Sequence, residues 1–434
     1  MQIITGKEFL KQLRSPFPFS KNSQALDLQT QVQKILSEVQ QKGDLALIEL
    51  EKRWNPNFQG EITVPKAKIK QAYDQAKPEF LNLLEKATHR ITAFHQKQMP
   101  KTWMETQADG SILGQLVQPI SRVGVYVPGG KASYPSSVLM NVLPAKIAKV
   151  PSLALVSPAA VNGAPHPNIL ATAHFLGVEE IYAIGGAQAI AALSFGTPTL
   201  PKVEKITGPG NAYVSEAKRQ IYGYVGIDSL AGPSEVFIWL KEEKIVQTFG
   251  VEVLAADLLA QAEHDPSART FLLCQNLEIL ESTKQYLEKI IPTLPRKEIL
   301  EQSIAHFSFG IGVEKEEEAY ACINGIAPEH LQILAPLEQK EKVLRNIKNA
   351  GAIFWGMWSP EALGDYLAGP NHVIPTSARA KFSSPLSVAD FLKTSSYVEF
   401  TEKGFQDLAG SVILFAEEEG LYAHAQSIRC RLPT

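Results

Sequence analysis

The sequence predicts an α/β protein with two Rossmann-like parallel-sheet domains, a helical N-terminal segment and an extended helical C-terminal tail. Short apolar runs alternate with helical patterns from about residue 121 onward, which is typical of βαβ units. Both ends of the chain instead carry amphipathic helical patterns. The 434 residues are 45% hydrophobic, which is enough for more than one buried core.

Composition excludes several classes of protein. The net charge of −3 provides no basic field for nucleic acid. The three cysteines are scattered and form no CxxC pair, which argues against a disulfide framework or a thiolate zinc site. No apolar run has the length of a signal sequence or a membrane span. We therefore expect a soluble cytoplasmic protein without nucleic-acid or membrane partners.

Residues 1–120 are assigned to a helical N-terminal part that joins the first α/β domain. Helical periodicity covers 28–54, and again 66–97 with a break near Pro78. Residues 103–119 are interpreted as a polar strand pair or a linker.

The first α/β domain is expected over 121–234. Four of its strands lead into glycine- or proline-rich turns, VPGG, VSPAA, IGGAQ and TGPGN. Such turns meet at one edge of a parallel sheet and let a phosphate or a flat ring approach backbone amides. The usual dinucleotide fingerprint is absent, because Tyr213 occupies its third glycine position. Ordinary tight turns are the alternative interpretation.

The second α/β domain is expected over 235–378 and carries candidate metal ligands. In LAADLLAQAEHDPSA, interpreted as a helix that Pro266 ends, Gln261 and His264 are three residues apart and therefore adjacent. They form half of a metal site or an ordinary helix end. Asp365, in LGDYLAGPNH, is either a hard metal ligand or a helix cap.

Two further pairs of side chains carry acid–base chemistry. Glu329 and His330 lie in a turn-like APEH element, where they are a general base with a second acid/base group, or a solvated loop pair. Glu419 and His424 flank Gly420, where a bend brings them to one site or leaves them as surface charge. A nitrogen and oxygen ligand set beside such a pair fits a zinc dehydrogenase or a zinc hydrolase.

Residues 379–434 are expected to form a C-terminal arm followed by helices. The segment 379–398 is polar and proline-marked, which is typical of an arm or linker. The helix expected over 404–418 places Leu408, Val412 and Phe415 on one face. That face must cover the chain's own core or a partner subunit.

A set of motifs carries a resemblance to a known family. From about residue 30 to the end, the chain resembles histidinol dehydrogenases in VGVYVPGG, IGGAQAIAALSFGT, ITGPGNAYV, DSLAGPSE, LLAQAEHDP, IAPEHL, GDYLAGPNHVIPT, ARAKFSSPLSV and EEEGLYAHA. Their order and approximate spacing also match. Two departures from the family pattern are small. The stretch between Ser234 and Gln261 is a few residues longer than usual, and Ala380-Lys381 interrupts the family's ARFSSPL motif.

The resemblance implies a two-step oxidation of L-histidinol to L-histidine with two NAD⁺. It implies one zinc ion per subunit, with His330 as the base and Glu329 activating water. The zinc ligands would be Gln261, His264, Asp365 and His424. These four and His330 would also contact the substrate, together with Ser234, His372 and Glu419. The implied NAD contacts are Tyr126, Gln188 and Asn211.

The resemblance also implies a homodimer whose C-terminal tail reaches the other subunit. His424 and Glu419 would then complete the neighbour's active site. Two other functions stay open: a zinc hydrolase or lyase that uses no NAD, and a non-catalytic binding protein that kept the fold. The hydrolase would leave the NAD contacts without a role, whereas the binding protein would usually have lost a ligand or an acid–base residue.

Overall fold

Two parallel sheets and a small antiparallel sheet organise the chain. A computed structural model describes residues 1–14, 23–129 and 133–433. Its strands are β1 Gln2–Thr5, β2 Trp103–Thr106, β3 Ile112–Pro119, β4 Arg122–Tyr126, β5 Ser152–Val156, β6 Ile181–Tyr182, β7 Lys205–Thr207, β8 Gly226–Ile227, β9 Glu235–Leu240, β10 Arg269–Cys274, β11 Ser308–Gly312, β12 His330–Leu334, β13 Ala352–Trp355 and β14 Leu392–Glu399.

Helices connect and cover these strands. They are α1 Gly6–Arg14, α2 Ser23–Lys42, α3 Asp44–Trp54, α4 Lys66–Asp74, α5 Pro78–His95, α6 Pro135–Ile147, α7 Pro167–Phe175, α8 Gly186–Phe195, α9 Ala212–Ile221, α10 Lys244–Phe249, α11 Glu252–Ala262, α12 Leu277–Ile290, α13 Lys297–Phe307, α14 Glu316–Ile326, α15 Lys340–Asn346, α16 Glu361–Tyr366, α17 Glu402–Glu418 and α18 Tyr422–Arg429.

The first sheet is parallel throughout and has the strand order β6-β5-β4-β7-β8. The N-terminal helices pack on its outer layer, α2 against α8 and α9, and α4 against α7. Val32 and Leu47 from these helices are buried in one core with Val125 and Leu155 of the sheet. The predicted strands of this region and the helical N-terminal segment are therefore confirmed.

The second sheet is also parallel, with the order β1-β11-β10-β9-β12-β13. Two parallel sheets in one chain confirm the predicted fold class. Three strands of this sheet, β1, β11 and β12, were not predicted from the sequence. Because β1 pairs with β11, and Phe9 packs edge-on against Phe271 at 5.6 Å, residues 1–14 belong to the second sheet. The expectation that residues 1–120 form one helical part joining the first α/β domain is corrected for residues 1–14, and the boundaries after residues 120, 234 and 378 stay predictions.

The small antiparallel sheet has the order β14-β3-β2. The predicted polar strand pair over 103–119 is therefore confirmed. The segment 379–398 is not a free linker, because β14 pairs along all of β3 and the side chains of Val388 and Phe391 are fully buried against the first sheet.

The tail helices α17 and α18 pack against each other. The predicted apolar face of α17 is largely uncovered, with Leu408 47%, Val412 42% and Phe415 70% exposed. Exposed apolar faces of this kind mark interaction surfaces. In the part of the chain that the structure describes, no helix is both long and apolar enough to cross a membrane.

Candidate active site

The acid–imidazole pair lies at the amino edge of the second sheet, on two neighbouring strands. Glu329 directly precedes β12, and His330 is the first residue of that strand. Glu235 opens the adjacent strand β9, where its N–H donates to Glu329 Oε2 at 2.8 Å and its carbonyl lies 3.1 Å from His330 Nδ1. Both side chains are buried. The APEH element is therefore a strand start that holds two buried side chains, and the interpretation as a solvated loop pair is wrong.

The hydrogen bond to Glu235 selects one tautomer of His330. A carbonyl oxygen only accepts, so Nδ1 carries the proton and donates it. The unprotonated Nε2 faces Asp365 Oδ1 at 3.9 Å. Burial lowers the pKa of His330 to about 3, so the imidazole is neutral at neutral pH. The neutral ring presents a free lone pair at Nε2, which is what a general base needs.

Two buried carboxyl groups accompany the imidazole. Burial raises the pKa of Glu329 well above its usual range, and the negative charges of Glu235 and Asp365 add to the rise. Burial also raises the pKa of Glu235 to about 7. Oε2 of Glu235 is buried without a hydrogen-bond partner among the described residues. A pKa of about 7 puts proton exchange by the Glu235 carboxyl group within the neutral pH range.

The candidate metal ligands converge beside this pair. His264 Nε2 lies 3.9 Å from Asp365 Oδ2, and one ligand atom from each of His264, Glu361 and Asp365 lies within 4.8 Å of the others. Helix α11 ends at Ala262, before the predicted stop at Pro266. His264 stays next to Gln261 because its N–H donates to the Gln261 carbonyl at 3.2 Å. Nitrogen and oxygen donors at this separation fit a zinc ion.

Gln261 joins this ligand group through its amide. It is 1% exposed, and its side-chain amide lies 3.0 Å from His330 Nδ1 and 2.8 Å from Glu361 Oε1. The amide therefore connects the acid–imidazole pair to the candidate ligand group.

Glu361 is a site residue that was not predicted from the sequence. It is 2% exposed on α16, one helical turn before Asp365, and burial together with the Asp365 charge raises its pKa well above the usual range. Its four-residue spacing from Asp365 was the available signal, since residues i and i+4 share a helix face.

Two predicted substrate contacts lie in the same region. His372 Nδ1 donates to the carbonyl of Asp365 at 2.9 Å, and burial lowers the pKa of this imidazole. Ser234 directly precedes Glu235, and its carbonyl accepts the N–H of Arg269 at 2.8 Å. The structure thus brings both close to the acid–imidazole pair.

The two predicted tail residues lie elsewhere. Glu419 and His424 are exposed, at the end of α17 and on α18. The metal-ligand group that the described residues of this chain form does not include His424. Within one chain, therefore, the predicted four-ligand set is brought together only in part.

A cavity of about 440 Å³ lies at the carboxyl edge of the first sheet. Its lining includes all three predicted cofactor contacts, Tyr126, Gln188 and Asn211. Tyr126 Oη accepts the N–H of Gly186 at 3.1 Å, and Asn211 Oδ1 caps α9 by accepting the N–H of Val214 at 3.1 Å. In the VPGG turn, Gly129 lines the cavity, whereas Gly130 lies outside the described residues. The volume is typical of a small-molecule site.

The TGPGN turn is held by a buried ion pair. Gly208 donates its N–H to Asp228 Oδ2 at 2.7 Å, and its carbonyl accepts from Lys218 Nζ at 2.6 Å. Lys218 and Asp228 also pair with each other, and both side chains are 3% exposed. A Cβ at position 208 would lie 2.0 Å from the Tyr126 carbonyl oxygen, so only glycine fits there.

The cavity lies at the carboxyl edge of the first sheet, whereas the acid–imidazole pair lies at the amino edge of the second sheet. Residues 228–234 run from the carboxyl end of β8 to the amino end of β9 and can span at most about 25 Å. The two edges are therefore joined by a short connection.

Two parallel sheets, glycine turns around a ligand-sized cavity and a buried acid–imidazole pair beside candidate metal ligands are features of an α/β enzyme, and they fit the dehydrogenase class. Residues 19–432 match the family model described as histidinol dehydrogenase. A histidinol dehydrogenase of Carboxydothermus hydrogenoformans is 45% identical over 435 aligned positions, covering 100% of this chain and 99% of the relative. One of Listeria monocytogenes is 44% identical, covering 99% of each.

A solved structure agrees with these relatives. The crystal structure of histidinol dehydrogenase from Elizabethkingia anophelis superposes with a TM-score of 0.89 at 33% identity, covering 99% of this chain and 98% of that one. The chain belongs to the histidinol dehydrogenase family. It is accordingly an NAD-dependent oxidoreductase.

Proposed function

We propose that the chain catalyses the zinc-dependent oxidation of L-histidinol to L-histidine through L-histidinaldehyde, reducing two NAD⁺, as the last step of histidine biosynthesis in the cytoplasm. One observation carries the proposal. In a member of this family, the main chain of Glu235 holds Glu329 and His330 together, and Asp365 links His330 to the ligand group.

The first oxidation uses His330 as the base. Its Nε2 takes the proton of the substrate alcohol while the carbon gives a hydride to NAD⁺, which leaves the aldehyde and NADH. The hydrogen bond from Nδ1 to Glu235 keeps this tautomer and also steadies the imidazolium that forms. The buried surroundings exclude water, which protects the aldehyde until the second step.

The second oxidation uses Glu329. Its carboxylate takes a proton from the water that adds to the aldehyde, and the hydrate then loses a hydride to a second NAD⁺ and a proton to become the carboxylate. In total, histidinol, water and two NAD⁺ give histidine, two NADH and three protons. The Glu235 N–H that donates to Glu329 Oε2 fixes the carboxylate beside His330.

The ligand group holds the substrate in this scheme. Gln261, His264 and Asp365, with His424 of the partner subunit, would bind one zinc ion per subunit. When bound, zinc would hold the imidazole and amine nitrogens of the substrate and polarise it. Ser234, His372 and Glu419 of the partner subunit would complete substrate binding, and Tyr126, Gln188 and Asn211 would contact NAD.

The stoichiometry of NADH formation tests the function. With limiting L-histidinol we expect two NADH per substrate, loss of activity on metal chelation and recovery with zinc. One NADH per histidinol would mean that the aldehyde leaves and that the second step is not catalysed. No NADH from metal-loaded protein would favour the hydrolase or binding-protein alternative.

Replacing Glu329 with glutamine separates the two oxidations. Glutamine keeps an acceptor for the Glu235 N–H but takes up no proton, so we expect oxidation of supplied histidinaldehyde to slow by about 10²-fold or more. The first hydride transfer, measured as a single-turnover burst of NADH from histidinol, should slow much less. Equal losses in both steps would contradict this division of labour. Glu338→Gln, at an exposed position, provides the matched control.

A further inference from the structure

A buried carboxylate from the N-terminal helices reaches into the cofactor cavity. Glu51, on α3, is 1% exposed and lines the cavity beside Gln188. Its Oε1 accepts the N–H of Gly185 at 2.8 Å and the side-chain amide of Gln188 at 2.9 Å. Its Oε2 accepts from the Asn55 amide at 3.4 Å. Among the described residues, no lysine, arginine or histidine forms an ion pair with it. All three groups that donate to this carboxyl group are neutral.

We propose that Glu51 is a positioning residue for NAD, an inference that rests on the proposed function of the cavity. By accepting from the amide nitrogen, the carboxylate fixes which way the Gln188 side chain points. The Gln188 oxygen then lies over Gly186, where an added Cβ would be 2.8 Å away. Gly186 has φ +62°, and it has no side chain to cover this oxygen. Gln188 thus presents a preset acceptor in the cavity.

The Glu51 carboxyl group also determines which part of NAD the IGGAQ turn contacts. The N-terminal N–H groups of a helix ordinarily bind phosphate. At the start of α8, Glu51 already takes the N–H of Gly185, and Tyr126 Oη takes the N–H of Gly186. With both N–H groups taken, neither is left to bind a diphosphate. The IGGAQ turn therefore contacts an uncharged part of NAD, such as a ribose or a ring, through the Gln188 oxygen.

The test compares Glu51→Ala with Glu49→Ala, an exposed glutamate on the same helix. The readouts are the Kd of NADH, from fluorescence titration without histidinol, and steady-state kinetics. For Glu51→Ala we expect the Kd of NADH and the KM of NAD⁺ to rise about tenfold or more, because two N–H groups lose a charged acceptor. The kcat at saturating NAD⁺ should stay within about twofold of wild type, as should all values for Glu49→Ala.

Formate distinguishes positioning from general support of the fold. A small carboxylate can occupy the space that Glu51→Ala vacates, so added formate should lower the Kd of NADH toward the wild-type value. It should leave wild type and Glu49→Ala unchanged. If Glu51→Ala does not fold, Glu51→Met serves instead: a side chain of similar length offers no oxygen to the Gly185 N–H or the Gln188 amide, and NADH binding should weaken similarly.

Gln188→Ala separates this inference from the proposed function. If Gln188→Ala weakens NADH binding and folded Glu51 variants do not, the cofactor cavity stands and the role of Glu51 is overturned. If neither Gln188→Ala nor the Glu51 variants change NADH binding, NAD does not use this cavity and both are overturned. The positioning role is also overturned if Glu51→Ala weakens NADH binding and added formate does not lower the Kd of NADH again.

Discussion

Replacing His330 with asparagine is expected to lower kcat for NADH formation from histidinol by about 10²- to 10⁴-fold. Asparagine can still donate a hydrogen bond to the Glu235 carbonyl, which now accepts from Nδ1, but it has no basic atom in the place of Nε2. The strand start should therefore survive while the base is lost. Steady-state kinetics measure the effect, with the Kd of NADH and the zinc content measured on the same preparation.

His306→Asn is the matched control for this variant. His306 is exposed on α13, and nothing in the proposed chemistry uses it. Its kcat should equal that of wild type. A His330→Asn enzyme that kept zinc, bound NADH and retained more than about a tenth of the wild-type kcat would remove His330 from the role of base.

The fold class followed from the sequence because apolar strands and helical patterns alternate with their own periods. The missed strand β12 shows the limit of this reasoning. Pro328 is a turn signal in the sequence, and Ala327 before it does adopt a turn conformation, with φ +50°. His330–Leu334 directly after this turn is nevertheless a fully buried strand with a neighbouring strand on each side. Its identity depends on pairing with β9, which lies about 90 residues away in the sequence.

Most side chains of the candidate site could be predicted from the sequence, whereas the contacts between distant parts of the chain could not. The adjacency of Gln261 and His264 follows from local spacing, and the structure retains it although the helix ends earlier. The acid–imidazole pair is held by the main-chain N–H and carbonyl of Glu235. Because nearly every residue type has these groups, the sequence does not indicate this contact. Glu51 lies more than 130 residues before its partner Gln188 and likewise meets it only in the folded chain.

Mixed dimers test whether two chains share each site. If the chain forms the proposed homodimer, the His330→Ala and His424→Ala proteins should each be nearly inactive. The first would lack the proposed base and the second a proposed zinc ligand. If the tail of one subunit completes the site of the other, a mixed dimer contains one site with both defects and one site with none. A purified mixed dimer should then regain about half of the wild-type activity.

The uncovered face of α17 is the structural reason to expect this recovery. Leu408, Val412 and Phe415 are exposed in the single chain, and His424 follows on α18 outside the metal-ligand group. If a second subunit buries this face, His424 of the first subunit would lie at the ligand group of the second. Mixing His424→Ala with Glu419→Ala provides the control, because both defects come from the same tail and every site in the mixture keeps one of them. Verified mixed dimers of the first kind that stay inactive would show that each site is built from one chain.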